Sequence, residues 1–276
     1  MTTRRDYTAE ALRAAKTVLV ELVQILGEFR DHVVVVGGSV PSLLLHDAAE
    51  PHVGTLDIDL ALDFRNIPEA SYQSLLKALT SRGYRQDVGQ PFRFFRDIPF
   101  PNRDTITVEV DLLAGEYGGT SRSHRTQVVQ DARARKARGC DLVFENNELV
   151  ALEGELPGGG HLTVQCRVSA IVPFLVMKGM ALADRLKEKD AYDIYYCVRQ
   201  YPGGLAALAD AFRMHMENRL VREGLTKIKH KFLSPDHAGP KWVVDFLEIA
   251  DPAERAIQQR AAYEQVAALL KKLGIF

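Results

Sequence analysis

The stretch from His32 to Asp63, HVVVVGGSVPSLLLHDAAEPHVGTLDIDLALD, constrains this chain more tightly than any other part of it. Val33 to Val36 is a short, wholly apolar, β-branched run of the kind that forms a central strand buried on both faces. Gly37, Gly38 and Ser39 follow as a turn. Ser39 is placed to cap a short helix running to Leu45, with Pro41 in its first turn, where the missing N–H does no harm. A second strand then carries Asp57 and Asp59. Side chains alternate along a strand, so the two carboxylates leave from one face about 6.6 Å apart. Ile58 turns to the other face, with Leu56, Leu60 and Leu62 as its neighbours in a core.

Carboxylates held side by side repel unless positive charge lies between them. A hard divalent cation such as Mg²⁺ takes oxygen ligands and keeps sites for water or phosphate. Glycines let the backbone approach a ligand closely, and the unpaired N–H groups of a helix starting near Ser39 would face an anion. Taken singly, Gly-Gly-Ser after a strand also reads as a tight turn, and Asp-x-Asp as a solvated strand end. Joined in this order and at this spacing, they form the equipment for phosphoryl or nucleotidyl transfer. On these residues the chain resembles the polymerase-beta-type nucleotidyltransferase superfamily, whose signature is a Gly-Ser turn followed by Asp-x-Asp on the next strand. Within it, Gly37-Gly38-Ser39 followed by Thr55-Leu56-Asp57-Ile58-Asp59-Leu60 is similar to the AbiEii and MenT-like nucleotidyltransferase toxins.

The resemblance implies a third carboxylate on a strand neighbouring Asp-x-Asp, which would ligate the catalytic metal and help activate the attacking hydroxyl. Thr105 to Leu113, TITVEVDLL, alternates cleanly, with Thr107, Glu109, Asp111 and Leu113 on one face. Asp111 matches the third position best and Glu109 is the reserve; a solvated strand face is the plain alternative.

A second informative patch is SAIVPFLVMKGMALADRLKEKDAYDIYYCV, from Ser169. Ser169 is expected to cap a helix to about Leu186, and Asp190 to cap another through Val198. Lys178 and Arg185 stand seven residues apart, which brings them within about 20° of one helix face. Without the resemblance this is two packed helices with a salt-bridged elbow. With it, Lys178, Arg185, Lys187, Lys189, Asp190 and Asp193 match the toxins' Lys-to-Asp pattern. That implies that Lys178 binds nucleotide phosphates, that Gly38, Ser39, Arg185 and Lys189 assist, and that Asp193 is needed for activity.

The remainder sets the frame. Thr8 to Phe29 has apolar residues at three- and four-residue steps and reads as a packing helix, as does Pro68 to Ser81 before Gly83. Pro91 to Arg96 reads as a strand, followed by the turn-rich DIPFPNRD, and Asp141 to Leu152 and His161 to Val168 as two more, joined by a Pro157-to-Gly160 hairpin. Gly118 to Gly139 reads as a basic flexible segment, with Arg122, His124, Arg125, Arg133, Arg135, Lys136 and Arg138. It is either a solvated face or a hold on a phosphate backbone. Lys227, Lys229, His230 and Lys231 make a second basic cluster, while Trp242 and Phe246 read as core; His46 and His52 adjoin the Asp-x-Asp strand in sequence. A formal net charge of −1 over 276 residues confines any nucleic-acid site to a local patch. Cys140, Cys166 and Cys197 are odd in number and scattered, which suits a reducing cytoplasm and buried, small apolar roles. No apolar run approaches a membrane span, and no signal core precedes Thr8.

The expected architecture is α+β: a nucleotidyltransferase-type mixed sheet with flanking helices over residues 1–168, then a helical domain over 169–276 walling the active-site cleft. The expected reaction is Mg²⁺-dependent transfer of a nucleoside monophosphate from an NTP to an acceptor hydroxyl. Two metal ions about 4 Å apart would lie on Asp57, Asp59 and Asp111. The resemblance favours the tRNA 3′ end as acceptor and a cognate antitoxin as partner. A small-molecule acceptor, as in aminoglycoside nucleotidyltransferases, and a non-catalytic nucleotide-binding module are the rival readings.

Overall fold

A computed structural model describes residues 3–27, 29–63, 65–66, 69–100, 103–116, 126–129, 132–185 and 187–276. The architecture is α+β, in two compact units. One comprises Thr8–Leu43 and Gly54–Ala170; the other comprises Met1–Tyr7, Leu44–Val53 and Ile171–Phe276. No described helix is long and apolar enough to cross a membrane.

The first unit is built on a mixed sheet. Its strands are β1 (Val33–Val36), β2 (Asp57–Leu62), β3 (Arg85–Gln86), β4 (Arg93–Phe100), β5 (Arg103–Ala114), β6 (Thr126–Val129), β7 (Ala132–Lys136), β8 (Asn147–Glu155) and β9 (His161–Ser169). They run β3-β4-β5-β2-β1-β9-β8, with β7 also on β5 and β6 on β7. The valine run of β1 is buried throughout, antiparallel to β2 and parallel to β9, as a strand with no polar face must be. Ile58, Leu60 and Leu62 of β2 are buried as the alternation requires. The sheet is accompanied by α1 (Ala9–Ile25), α2 (Val40–Leu44), α3 (Glu69–Ser81) and α4 (Asp141–Glu145).

Helix α1 begins at Thr8, whose side chain accepts the Ala11 N–H, and buries Ala15, Leu19, Leu22 and Val23. Glu21 is buried as well, on another side of the helix. An isolated carboxylate there would be costly. Instead it accepts from the Tyr84 hydroxyl at 2.8 Å and from Arg96 Nε of β4 at 2.9 Å, a pairing that ties α1 to the sheet.

Several expectations from the sequence are revised. Within the basic segment two strands form: Thr126–Val129 and Ala132–Lys136 pair antiparallel, with Ala134 fully buried, because β7 alternates alanine with basic residues and so has a face that can be buried. Arg122, His124 and Arg125 lie outside the described residues. The DIPFPNRD turn contains strand as well, since β4 continues to Phe100 and β5 begins at Arg103. Asp141–Glu145 is a single helical turn, and the strand expected from Asp141 starts only at Asn147; the acidic first residue suits a helix N-terminus. Ser39 closes a 3₁₀ turn over Gly37–Ser39 before α2 starts at Val40.

The second unit is helical: α5 (Ile171–Asp184), α6 (Glu188–Gln200), α7 (Gly204–Arg213), α8 (Arg219–Lys231), α9 (Ala238–Phe246) and α10 (Pro252–Lys272). Neither expected cap holds before α5 or α6. Ser169 ends β9 and donates to the Ala170 carbonyl, and Asp190 sits inside α6, behind Lys187 at the N-cap position. The second basic cluster is spent within the unit. Lys229 Nζ donates to the Ile275 carbonyl at 2.9 Å, Lys231 lies over the Trp242 ring and Lys227 reaches Glu223. Phe246 is buried, as a core residue should be.

Helices α5 and α8 meet through glycines. A Cβ on Gly179 would overlap the Gly224 carbonyl oxygen, and one on Gly224 would press on Val176 backbone. Because backbone cannot give way as a side-chain tip can, Gly179→Ala is expected to destabilise the protein by about 1–3 kcal/mol. Gly158→Ala, facing open space, is expected to leave a thermal melt unchanged.

Candidate active site

The acidic face is assembled by strand register. Strand β2 lies between β1 and β5, antiparallel to the first and parallel to the second. Asp57 pairs with Glu109 and Asp59 with Asp111, while Val36, the last residue before the glycine turn, pairs with Asp59. The period-two reading of both strands therefore converges: four carboxylates stand in two cross-strand pairs on one face. Neighbouring strands lie about 4.8 Å apart, where two unit charges repel by roughly 3 kcal/mol at an effective dielectric near 20.

The turn is fitted against this face. Gly37 has φ +67°, in the left-handed region, and a Cβ there would overlap the Asp59 carboxylate. Glycine is thus required twice at one position, for conformation and for the close approach of backbone to carboxylate. Gly38 and Ser39 are buried, and the Ser39 carbonyl accepts from the Ser42 hydroxyl at 2.9 Å. Asp57 Oδ1 accepts from the Thr55 hydroxyl at 2.5 Å, which orients that carboxylate.

Arg93, on β4, was not singled out from the sequence. It is the register partner of Asp111. Its Nε and Nη2 donate to Asp111 Oδ1 and Oδ2, both at 2.8 Å, and Nη2 stands 2.7 Å from Glu109 Oε1. The hydrogen bonds to Asp111 raise the guanidinium above its already high range. Cross-strand pairing alone makes this contact, and no local pattern around Arg93 announces it.

The acids suit a divalent ion in kind: hard oxygens, on one face, beside a turn that lacks a Cβ where one would collide. Their present disposition does not fit one. Among the described residues, no group of three or more His, Cys, Asp or Glu side chains is arranged to hold a metal ion. Asp111 has both oxygens on Arg93.

The Lys-to-Asp patch belongs to the helical unit and forms a buried network there. Lys178 Nζ lies 2.7 Å from both Asp190 Oδ1 and Asp193 Oδ2. Arg185 Nε donates to Asp190 Oδ2 at 2.8 Å, so the helix-face argument for Lys178 and Arg185 is realised as a shared carboxylate. Lys189 Nζ reaches Asp193 Oδ1 at 2.8 Å, and His52 Nε2 meets the same oxygen at 2.9 Å. The His52 ring is stacked on Tyr192 and edge-on to Tyr196. Burial alone would raise Asp193, yet Lys178, Lys189 and His52 hold it well below the usual carboxylate range. Burial likewise would lower Lys178, and Asp190 and Asp193 more than reverse it. For His52 burial prevails and its pKa is lowered, despite Asp193. The three cysteines are buried, with the Cys166 thiol pushed up to about 11 by desolvation, so thiolate chemistry is disfavoured.

Removing one partner of a buried ion pair leaves an uncompensated charge at a cost of about 3–5 kcal/mol. Lys178→Met is therefore expected to lower the stability measured by denaturant unfolding by that order. A variant of wild-type stability would show that Lys178 does not hold the two aspartates together.

A family model described as "Nucleotidyl transferase AbiEii toxin, Type IV TA system" matches residues 22–269. No curated protein matches the chain. Among solved structures, an antigenic nucleotidyltransferase-like protein from Paracoccidioides brasiliensis is similar at 19% identity, over 77% of this chain and 93% of that one, with a TM-score of 0.42.

Proposed function

The chain belongs to the AbiEii nucleotidyl transferase toxin family of type IV toxin–antitoxin systems, and from that premise we propose that it transfers a nucleoside monophosphate from an NTP to the 3′ hydroxyl of tRNA, releasing pyrophosphate. The observation that carries the reading is the β2–β5 register, Asp57 with Glu109 and Asp59 with Asp111, beside the Gly37 turn. A toxin of this family implies a nucleotide substrate and an antitoxin partner. A tRNA acceptor would place the work in the cytoplasm.

In this reading Asp57 and Asp59, joined by Asp111 once Arg93 lets it go, would hold Mg²⁺, which would supply charge neutralisation for the phosphates and polarisation of the reacting oxygens. The chain's own groups do the positioning. Thr55 orients Asp57, and Gly37 allows backbone to lie against Asp59. The N–H groups that open α2, near Gly38 and Ser39, are the proposed cradle for the triphosphate. Catalysis of this kind is mostly alignment and charge stabilisation, so it needs fixed carboxylates more than a strong base. Within the helical unit, Lys178, Arg185, Lys189 and Asp193 are proposed, from the family's Lys-to-Asp pattern, to be needed for activity as a group, since Asp190 and Asp193 bind their charges together. The basic groups on β7, Arg133, Arg135 and Lys136, are the remaining candidates for a tRNA backbone hold.

The test is to incubate the protein with each α-labelled NTP, Mg²⁺ and either total tRNA or an aminoglycoside. Label on tRNA alone is expected, with Asp57→Asn and Asp59→Asn reducing it by at least about a thousandfold while thermal melts stay near wild type. Label on the aminoglycoside alone would move the assignment to a small-molecule transferase. Label on neither would contradict the tRNA assignment and favour a binding module. Full activity in either aspartate variant would end the reading.

A further inference from the structure

On the acidic face the Arg93 guanidinium sits on Asp111, the third carboxylate of the proposed site. Arg93 is directly opposite Asp111 in the antiparallel β4–β5 pair, so both side chains rise from the same face. The contact is a fork: two parallel N–H···O bonds of 2.8 Å use both Asp111 oxygens, and Nη2 also lies 2.7 Å from Glu109. Such charge-assisted, bidentate pairs are among the stronger polar contacts a protein makes. This one is also sheltered, with the Asp111 side chain only 8% exposed and that of Arg93 20%. The neighbouring Asp59 is one register pair away, yet the three aspartates do not compose a metal-holding group.

Resting on the transferase reading above, we infer that Arg93 is a positioning residue that latches Asp111 away from the divalent ion and must release it for the site to close. A guanidinium and a divalent cation compete for the same oxygens. With the latch closed, both Asp111 oxygens are withheld from the ion. With the latch open, Asp111 becomes available and Arg93 carries a positive charge free to meet an incoming phosphate. The triphosphate is therefore the natural trigger, because it brings both a metal to take Asp111 and an anion to take Arg93. The device keeps the face neutral enough to fold without a metal and couples metal closure to arrival of the nucleotide.

The experiment measures Mn²⁺ binding by electron paramagnetic resonance and by the Mn²⁺-induced rise in melting temperature, on the full chain without nucleotide. Wild type, Arg93→Met, Asp111→Asn and the double variant form a cycle. Losing a bidentate charge-assisted competitor is expected to tighten Mn²⁺ binding about ten- to a hundredfold in Arg93→Met. Asp111→Asn is expected to abolish that gain, because it removes the carboxylate that Arg93 holds with two bonds. Arg93→Met melts lower than wild type in EDTA but gains more from Mn²⁺, so the readout survives some loss of stability. Equal Mn²⁺ affinity in wild type and Arg93→Met overturns the latch and leaves the transferase reading standing. A gain that persists in the double variant overturns it too, because it reduces Arg93 to a diffuse charge effect. No Mn²⁺ binding in any variant overturns the latch too, and leaves the transferase reading to the labelling experiment.

Discussion

Parallel pairing of β2 with β5 is the constraint from which the site follows. It sets Asp59 beside Asp111 and Asp57 beside Glu109, where water alone does not relieve the repulsion. Each neighbouring element supplies one form of compensation. Strand β4 brings the Arg93 guanidinium, Thr55 donates a hydroxyl to Asp57, and the turn after β1 uses a glycine that leaves room for the Asp59 carboxylate. Had β5 slipped by one residue against β2, Val110 would face Asp59 and the acids would turn away. Register, set by the apolar core beneath, is thus what holds the chemistry in place.

The helical unit solves a similar problem with the opposite balance. Lys178, Arg185 and Lys189 surround Asp190 and Asp193, with His52 closing one side. These groups are buried, so each is meaningful only with its partners: remove one charge and the rest become a liability. This alters how Lys178 is viewed. A lysine held between two aspartates 2.7 Å away is a rigid member of a network. If it touches phosphate, it does so from a position those aspartates prescribe. The same holds for Asp193, whose lowered pKa reflects three cationic or hydrogen-bonding neighbours around one carboxyl.

Much of this was legible in the sequence, and the reasons differ by element. The valine run showed itself as a wholly apolar β-branched stretch, the Asp-x-Asp strand and the alternating TITVEVDLL through period-two patterns, and α5 and α6 were expected as helices, though by caps that the structure assigns elsewhere. Asp111 was singled out because the resemblance implies a third carboxylate and strand alternation gives it a definite face, and the β2–β5 register sets it against Asp59. Arg93 was not found, because its role exists only across the β4–β5 ladder, eighteen residues from Asp111. His52 was noted for its place in sequence, but its partner Asp193 is 141 residues away, beyond any local pattern. The strands at 126–136 were missed because their charge outweighed their alternation. Ser169 and Asp190 look like helix caps, yet one is claimed by a strand and the other by Lys178 and Arg185. Composition and spacing describe what a side chain can do; tertiary partners decide which option it takes.

The most direct measurement is anomalous diffraction from crystals grown with Mn²⁺ and a non-hydrolysable NTP. The account predicts manganese in contact with Asp57, Asp59 and Asp111, the triphosphate against the turn at Gly37 to Ser39, and Arg93 turned off Asp111. Manganese absent from Asp57 and Asp59, with the Arg93 fork still closed on both Asp111 oxygens and the nucleotide bound elsewhere, would contradict it.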